Sequence, residues 1–207
     1  MYTAYLADTP NGRKIPIALE ELALDYRVQP VDLGADEQHT PAFERMSPNG
    51  KIPVLVDGAS GAALFESNAI LFHLAATSGR LIPDNPAGRA TVLQWLFLQA
   101  ASIGPMLGQL WWFRHASPTP NPQALARYTK EARRLYGVIE RRLATTPYIA
   151  GDSYTVADIA CWPWLVTHDE LGLDIAAWPA VAAWLDQVAA RPAVQRGLAR
   201  SAEPAHV

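Results

Sequence analysis

The chain has 207 residues, half of them apolar, with a net charge of −3 and a sequence pI near 5.9. That length holds one large domain or two small ones around a buried core, and the mild acidity argues against nucleic acid, which requires a basic face. A single cysteine, Cys161, excludes both an internal disulfide framework and a CxxC redox pair.

In chain order, Tyr2–Leu6 reads as a strand, and Thr9-Pro10-Asn11-Gly12 as a turn built from strong breakers. Arg13–Leu24 has helical spacing, with Ile15, Leu19, Leu22 and Ala23 on a common side, and Asp25 ends it. Tyr26–Val31 alternates as a strand does. Thr40–Met46 reads as a short helix with Thr40 as its cap and Pro41 in the first position. Pro53–Val56 is a short apolar strand, Asp57-Gly58 opens a turn, and Ala62–Phe65 returns as a hairpin partner. Glu66–Thr77 is a helix with Ile70, Leu71 and Leu74 inward, so the first part of the chain is α/β in the order βαβαββα.

Pro83, Pro86 and Gly88 mark a linker, and the remainder is helical: Arg89–Ala116 with a Gly104-Pro105 interruption, Gln123–Ala144, Thr155–Thr167, Pro179–Ala190 and Pro192–Arg200. The expected organisation is an α/β domain over 1–80, a linker over 81–88 and an all-α domain over 89–207. Thr91–Phe113 carries no charge and is long enough to span a bilayer, but three glutamines and the Gly-Pro break favour a helix buried within protein. The basic residues Arg133, Arg134, Arg141 and Arg142 alternate with Glu131 and Glu140, as on a solvated helix face. Met1-Tyr2-Thr3-Ala4 has neither a basic nor a long apolar leader region. A cytoplasmic, reducing setting is therefore the expectation.

Thr155-Val156-Ala157-Asp158 forms a capping box with Asp in place of the usual Glu or Gln, which makes Asp158 structural. Cys161 lies among Ile159, Ala160, Trp162 and Trp164 and reads as buried and inert. His39, His73, His115, His168 and His206 have no metal-ligand spacing. No phosphate-binding glycine signature occurs.

Three local signals carry a resemblance: Ser47-Pro48-Asn49-Gly50-Lys51-Ile52-Pro53-Val54-Leu55 before a hairpin, Leu64-Phe65-Glu66-Ser67-Asn68-Ala69-Ile70 opening a helix, and the box at Thr155–Asp158. Together they resemble the glutathione transferase family, which has a thioredoxin-like first domain and a helical second one. Further segments are similar to the bacterial Nu class of that family. They are Thr9–Lys14, Asp32-Leu33-Gly34, Gln94–Phe97, Gly104–Gln109 and Asp158–Trp164. The resemblance implies a glutathione-dependent disulfide-bond reductase, a homodimer, and no metal. Conjugation of glutathione to electrophiles and a non-catalytic glutathione-binding role are the alternatives.

The resemblance also implies roles for individual residues. Ser67, at a helix start, would hold the γ-glutamyl carboxylate, and Glu66 the γ-glutamyl ammonium. Taken alone, the same pair could simply open a helix. Pro53 matches the family's cis-proline, with the Ile52 backbone pairing to the cysteinyl unit as an added strand does. On residue grounds alone it could be a trans proline at a strand edge. Lys51 and Gln38 would meet the glycyl carboxylate, Lys51 being the better placed. Thr9 and Asn11 would donate hydrogen bonds to the glutathione thiolate, though Thr9–Gly12 could be no more than a turn. The aromatic run Trp111-Trp112-Phe113 before Arg114 and His115 could line an apolar cleft, pack a core or meet another subunit.

Overall fold

In the computed structural model, which describes residues 1–202, β1 (Tyr2–Leu6) lies inside a four-stranded sheet of order β2-β1-β3-β4. β2 (Tyr26–Pro30) pairs parallel to β1, with Tyr2 opposite Tyr26. β3 (Val54–Asp57) pairs antiparallel to β1 and to β4 (Ala63–Phe65). Parallel pairing needs a crossover, and α1 (Pro10–Leu22) supplies it. Ala4, Leu6, Ile15, Ile17, Leu19 and Leu55 form a fully enclosed core with Ile70, Leu71 and Leu74 of α3 (Ser67–Ser78). The βαβαββα order expected from the sequence is present, including the short α2 (Pro41–Glu44), whose cap Thr40 accepts from the Phe43 amide.

Helix α1 starts three residues earlier than the sequence spacing indicates. Thr9 takes an extended conformation and its hydroxyl accepts from the Gly12 amide, while Pro10 occupies the first position, where its missing N–H costs nothing. The expected turn is thus the first turn of the helix. Ala23 ends it in the left-handed region at φ 54°.

The chain divides into two units, Met1–Ile82 together with the chain from Ala189 onward, and Pro83–Val188. The last helix, α9 (Pro192–Ser201), therefore belongs with the α/β unit, not with the helical region where the sequence reading put it. Its partner is α1. Gly197 stands directly on Ile17, Arg191 makes two hydrogen bonds to Glu21 at 2.6 and 2.9 Å, and Arg196 reaches Glu20 at 2.7 Å. A residue with no side chain lets the two backbones approach.

The second unit begins with α4 (Pro86–Leu98), capped by Asn85. One π turn, Gln99–Ile103, leads into α5 (Gly104–His115). Pro105 lacks the N–H that would continue the regular ladder, so the turn widens there. Pro86–His115 as a whole is long and apolar enough to cross a membrane. Here it packs along α6 (Pro122–Leu143) and α7 (Val156–Leu165). Tyr136 of α6 is fully buried and donates to the Leu165 carbonyl at 2.7 Å. Glu140 accepts from the Ala180 and Val181 amides and so caps α8 (Pro179–Ala189). Of the basic residues on α6, Arg133 and Arg141 are solvated, but Arg142 is not merely part of a wet face. It donates to the Ile149 carbonyl at 2.9 Å and lies over the Trp95 ring.

The capping box at α7 forms. Thr155 Oγ1 accepts from the Ala157 amide at 3.2 Å, and Asp158 Oδ2 accepts from the Thr155 amide at 2.9 Å. Asp158 does more than cap: its Oδ1 also accepts from the Ile149 amide and from Trp184 Nε1. Cys161 is fully buried in the same helix. His206 lies outside the described residues.

Candidate functional site

The segment leading into β3, the start of α3 and the start of α1 meet at a cavity of about 230 Å³ in the first unit, lined by Asn11, Lys51, Ile52, Pro53, Glu66 and Ser67, with Ser47, Asn49 and Phe65 at its wall. Six of the eight residues singled out from the sequence are thus brought together. A larger cavity of about 590 Å³ lies in the second unit beside Arg127, Lys130 and Arg134. The smaller one gathers the groups suited to a zwitterionic peptide: a helix start, a carboxylate, an ammonium and the backbone of Ile52, which lies just before β3 and outside the sheet ladder.

The loop before β3 is fixed by Ser47, a buried residue that sequence reasoning did not single out. Its hydroxyl donates to the Lys51 carbonyl at 2.8 Å, and the Gly50 amide donates to the Ser47 carbonyl at 2.8 Å. Lys51 is thereby held at the rim with its side chain exposed. The Ile52–Pro53 peptide is cis, the form the resemblance implied.

Glu66 immediately precedes α3 with φ 68° and ψ 108°, a conformation non-glycine residues seldom take, and its side chain makes no capping bond. The exposed carboxylate is therefore not there to open the helix, which removes the simplest structural explanation for the pair. Ser67, 8% exposed, is the first residue of α3, where unpaired amides and the helix dipole favour an anion.

Two of the eight residues stand apart from the cavity wall. Thr9 is the cap of α1, its oxygen occupied by the Gly12 amide. Its hydroxyl hydrogen can still be donated, since a hydroxyl both accepts and donates. Gln38 lies one shell further out, its backbone carbonyl against Gly50. Its Nε2 donates to Asp36 Oδ1 at 3.2 Å, and that is the end a carboxylate would need. Lys51 is the better candidate for such a contact.

Sequence reasoning also passed over Lys14. It sits on α1 with no solvent exposure, and its Nζ donates to Ser67 Oγ at 3.1 Å and to Asn68 Oδ1 at 3.0 Å. A lysine within an apolar helical run gives no pattern signal of burial. Its place in the Thr9–Lys14 motif was the available clue.

In the second unit the aromatic residues of α5 form contacts of their own. Phe113 stacks on Tyr128 at 5.6 Å, Trp112 meets Phe113 edge-on, and Trp111 Nε1 donates to Glu170 at 2.9 Å. Trp111 and Trp112 keep about two-fifths of their surface exposed. Among the described residues no group of three or more His, Cys, Asp or Glu side chains could hold a metal ion.

Comparison with known proteins agrees with this geometry. Residues 3–76 match the glutathione S-transferase N-terminal domain and residues 103–192 the C-terminal domain. Disulfide-bond oxidoreductase YfcG of Escherichia coli (strain K12) is 45% identical over 206 residues, covering 97% of this chain and 96% of its own length. A glutathione transferase from Burkholderia graminis, crystallised with two glutathione molecules per subunit, superposes with a TM-score of 0.89 at 40% identity, over 95% of this chain and 87% of that one. One from Pseudomonas putida, with one glutathione disulfide per subunit, gives 0.88 at 38% identity, over 95% and 90%. Matched in both domains and by relatives of nearly its own length, the chain belongs to the glutathione S-transferase family.

Proposed function

We propose that the protein is a glutathione-dependent disulfide-bond oxidoreductase whose reacting sulfurs all belong to glutathione and its substrate. The observation that carries this reading is the cavity itself. It offers Asn11 at the start of α1, the Ile52 backbone, Lys51, Glu66 and Ser67, and no cysteine. The similarity to the disulfide-bond oxidoreductase YfcG supports the same reading.

In this account Ser67 and the amides of α3 hold the γ-glutamyl carboxylate, and Glu66 accepts from the ammonium. The Ile52 backbone pairs with the cysteinyl unit, and Lys51 meets the glycyl carboxylate. Asn11 and Thr9 donate to the thiolate. One glutathione thiolate attacks the disulfide, forming a mixed disulfide and releasing one substrate thiolate. A second glutathione thiolate attacks the glutathione sulfur of that mixed disulfide, releasing the other substrate thiolate and oxidised glutathione. Two glutathione thiols are oxidised, one disulfide is reduced to two thiols, and the protein contributes no sulfur.

Lowering the bound thiol by ~2 pKa units raises the thiolate fraction at neutral pH roughly twentyfold. Its intrinsic reactivity falls ~6- to 10-fold over the same range. The net gain is a few fold, so alignment of the two sulfurs must supply most of the acceleration. A homodimer and a cytoplasmic setting belong to the same proposal. A second subunit would cover apolar surface such as Phe97, which is 71% exposed.

The test is a side-by-side assay of glutathione with a small mixed disulfide and with an aryl halide. The proposal expects disulfide turnover to exceed conjugation by orders of magnitude. Conjugation exceeding disulfide turnover would make the protein an electrophile transferase, and binding with neither activity would make it a glutathione-binding module.

A further inference from the structure

We infer that Ser47 is a positioning residue for glutathione, aiming the amide hydrogen of Ile52 at the cysteinyl carbonyl of the bound peptide. The inference rests on the glutathione reading of the cavity and adds to it the group that sets the direction of the Ile52 contact.

Ser47 is 1% exposed. A buried hydroxyl is costly unless it is hydrogen-bonded, and alanine would fill the same place without that cost. The backbone of Ser47 already closes the loop. Its amide donates to the Phe43 carbonyl at 2.9 Å, and its carbonyl accepts from the Gly50 amide at 2.8 Å. Phe43 in turn is packed in a core cluster with Val31 and Val54. Any residue with an amide hydrogen makes those two bonds. What the hydroxyl alone supplies is a two-way hold on Lys51, accepting from its amide at 3.4 Å and donating to its carbonyl at 2.8 Å.

That hold fixes a plane. The Lys51–Ile52 peptide is trans, so its C=O and N–H point in opposite directions. With the carbonyl tied to Ser47, the Ile52 N–H is turned away from Ser47. It donates to none of the described residues, because the sheet ladder begins two residues later at Val54. Ile52 lines the cavity. An amide that the protein leaves unpaired there is satisfied by the carbonyl of an extended ligand peptide, in the manner of an added strand. Without the hydroxyl the peptide plane is free to rock, and ordering the donor again at binding costs affinity.

The experiment titrates glutathione into the 15N-labelled full-length protein and into Ser47→Ala, following affinity and the amide resonances of Ile52 and Ser67. In the parent, glutathione should move the Ile52 amide proton downfield and slow its exchange with solvent, and the Ser67 amide should respond as well. In Ser47→Ala, glutathione should bind about 3- to 10-fold more weakly, with the Ile52 response reduced and the Ser67 response kept. Unchanged affinity or an undiminished Ile52 response overturns the inference. So does an equal loss at Ile52 and Ser67, which would mark a serine that only holds the loop. If neither amide responds in the parent, the glutathione reading of the cavity is itself wrong, and the role of Ser47 falls with it. Should Ser47→Ala fail to fold, a crystal structure of the unaltered protein with glutathione bound gives the answer. The Ile52 nitrogen should lie within ~3.2 Å of the cysteinyl carbonyl oxygen while Ser47 Oγ stays on the Lys51 carbonyl, whereas a peptide released from Ser47, or an Ile52 amide that does not meet the ligand, overturns the inference.

Discussion

The hydroxyl oxygen of Thr9 receives the amide hydrogen of Gly12 at 3.1 Å, so Thr9 is committed as the cap of α1 whatever it does for a ligand. The two roles separate by substitution. Thr9→Ala removes the cap and should cost about 1 kcal/mol in urea unfolding. Thr9→Asp keeps an N-cap residue but cannot donate, and it places a negative charge near the thiolate. It should unfold like the parent while losing roughly tenfold in disulfide turnover at neutral pH. Parental turnover in Thr9→Asp would show that Thr9 only caps the helix.

A Cβ added to Gly197 would lie 2.6 Å from the Ile17 nitrogen and 2.7 Å from its Cα, both backbone atoms that cannot rotate away. Gly197→Ala must therefore push α9 off α1. A loss of about 2 kcal/mol or more is expected in chemical denaturation, with Arg191–Glu21 and Arg196–Glu20 weakened together. A variant as stable as the parent would mean that α9 is not held in this position.

Glu66 provides a trade-off between stability and binding. At φ 68° its backbone is in a region that costs ~1–3 kcal/mol for a residue with a Cβ. Glycine relieves that strain, offset by ~0.5–1 kcal/mol from the greater freedom of the unfolded chain. Glu66→Gly should melt no lower than the parent yet bind glutathione at least tenfold more weakly, as expected for the lost ammonium partner. A variant that melts lower and binds normally would contradict both assignments.

Asp158 gives a pH signature. Burial raises its carboxyl to about 6, against the lowering effect of hydrogen bonds from Ile149, Thr155 and Trp184. A carboxyl raised above its unfolded value of 3.8 binds its proton more tightly when folded. Its contribution to stability is therefore complete below pH ~4 and is lost as pH rises through about 6, by at most about 3 kcal/mol. Asp158→Asn cannot titrate. Subtracting its stability–pH curve from the parent's should leave a slope confined to that window. The variant should also be less stable throughout, because an amide oxygen cannot serve all four donors that reach the carboxylate. A flat difference curve would mean that Asp158 titrates as it does in the unfolded chain.

Most elements were legible because punctuation is local. Thr40-Pro41, Asp57-Gly58 and the Thr155 box act through residues within four positions of one another, whereas Asn85-Pro86, expected within the linker, caps and opens α4 three residues before the expected start at Arg89. The start of α1 was misread for a related reason. Pro10 and Gly12 read as breakers, but a capped helix accepts proline in its first position and glycine shortly after. What local pattern cannot carry is the choice of partner. The periodicity of Pro192–Arg200 identifies a helix, but only contacts about 170 residues apart, such as Arg191 to Glu21, attach it to α1. The site divides in the same way. Lys51 and Ile52-Pro53 were carried by one contiguous motif, and Glu66 and Ser67 by another. Ser47 and Lys14 support it from behind, and burial of a polar residue is visible only in three dimensions.

The central claim, that the exchanging sulfurs belong to glutathione and its substrate, is tested most directly by replacing the single cysteine. Reduction of a glutathione mixed disulfide should proceed in Cys161→Ser at the parental rate, since Cys161 is fully buried in α7 and absent from the cavity of the first unit. Activity abolished in a Cys161→Ser protein that remains folded and still binds glutathione would make Cys161 the nucleophile and contradict the account.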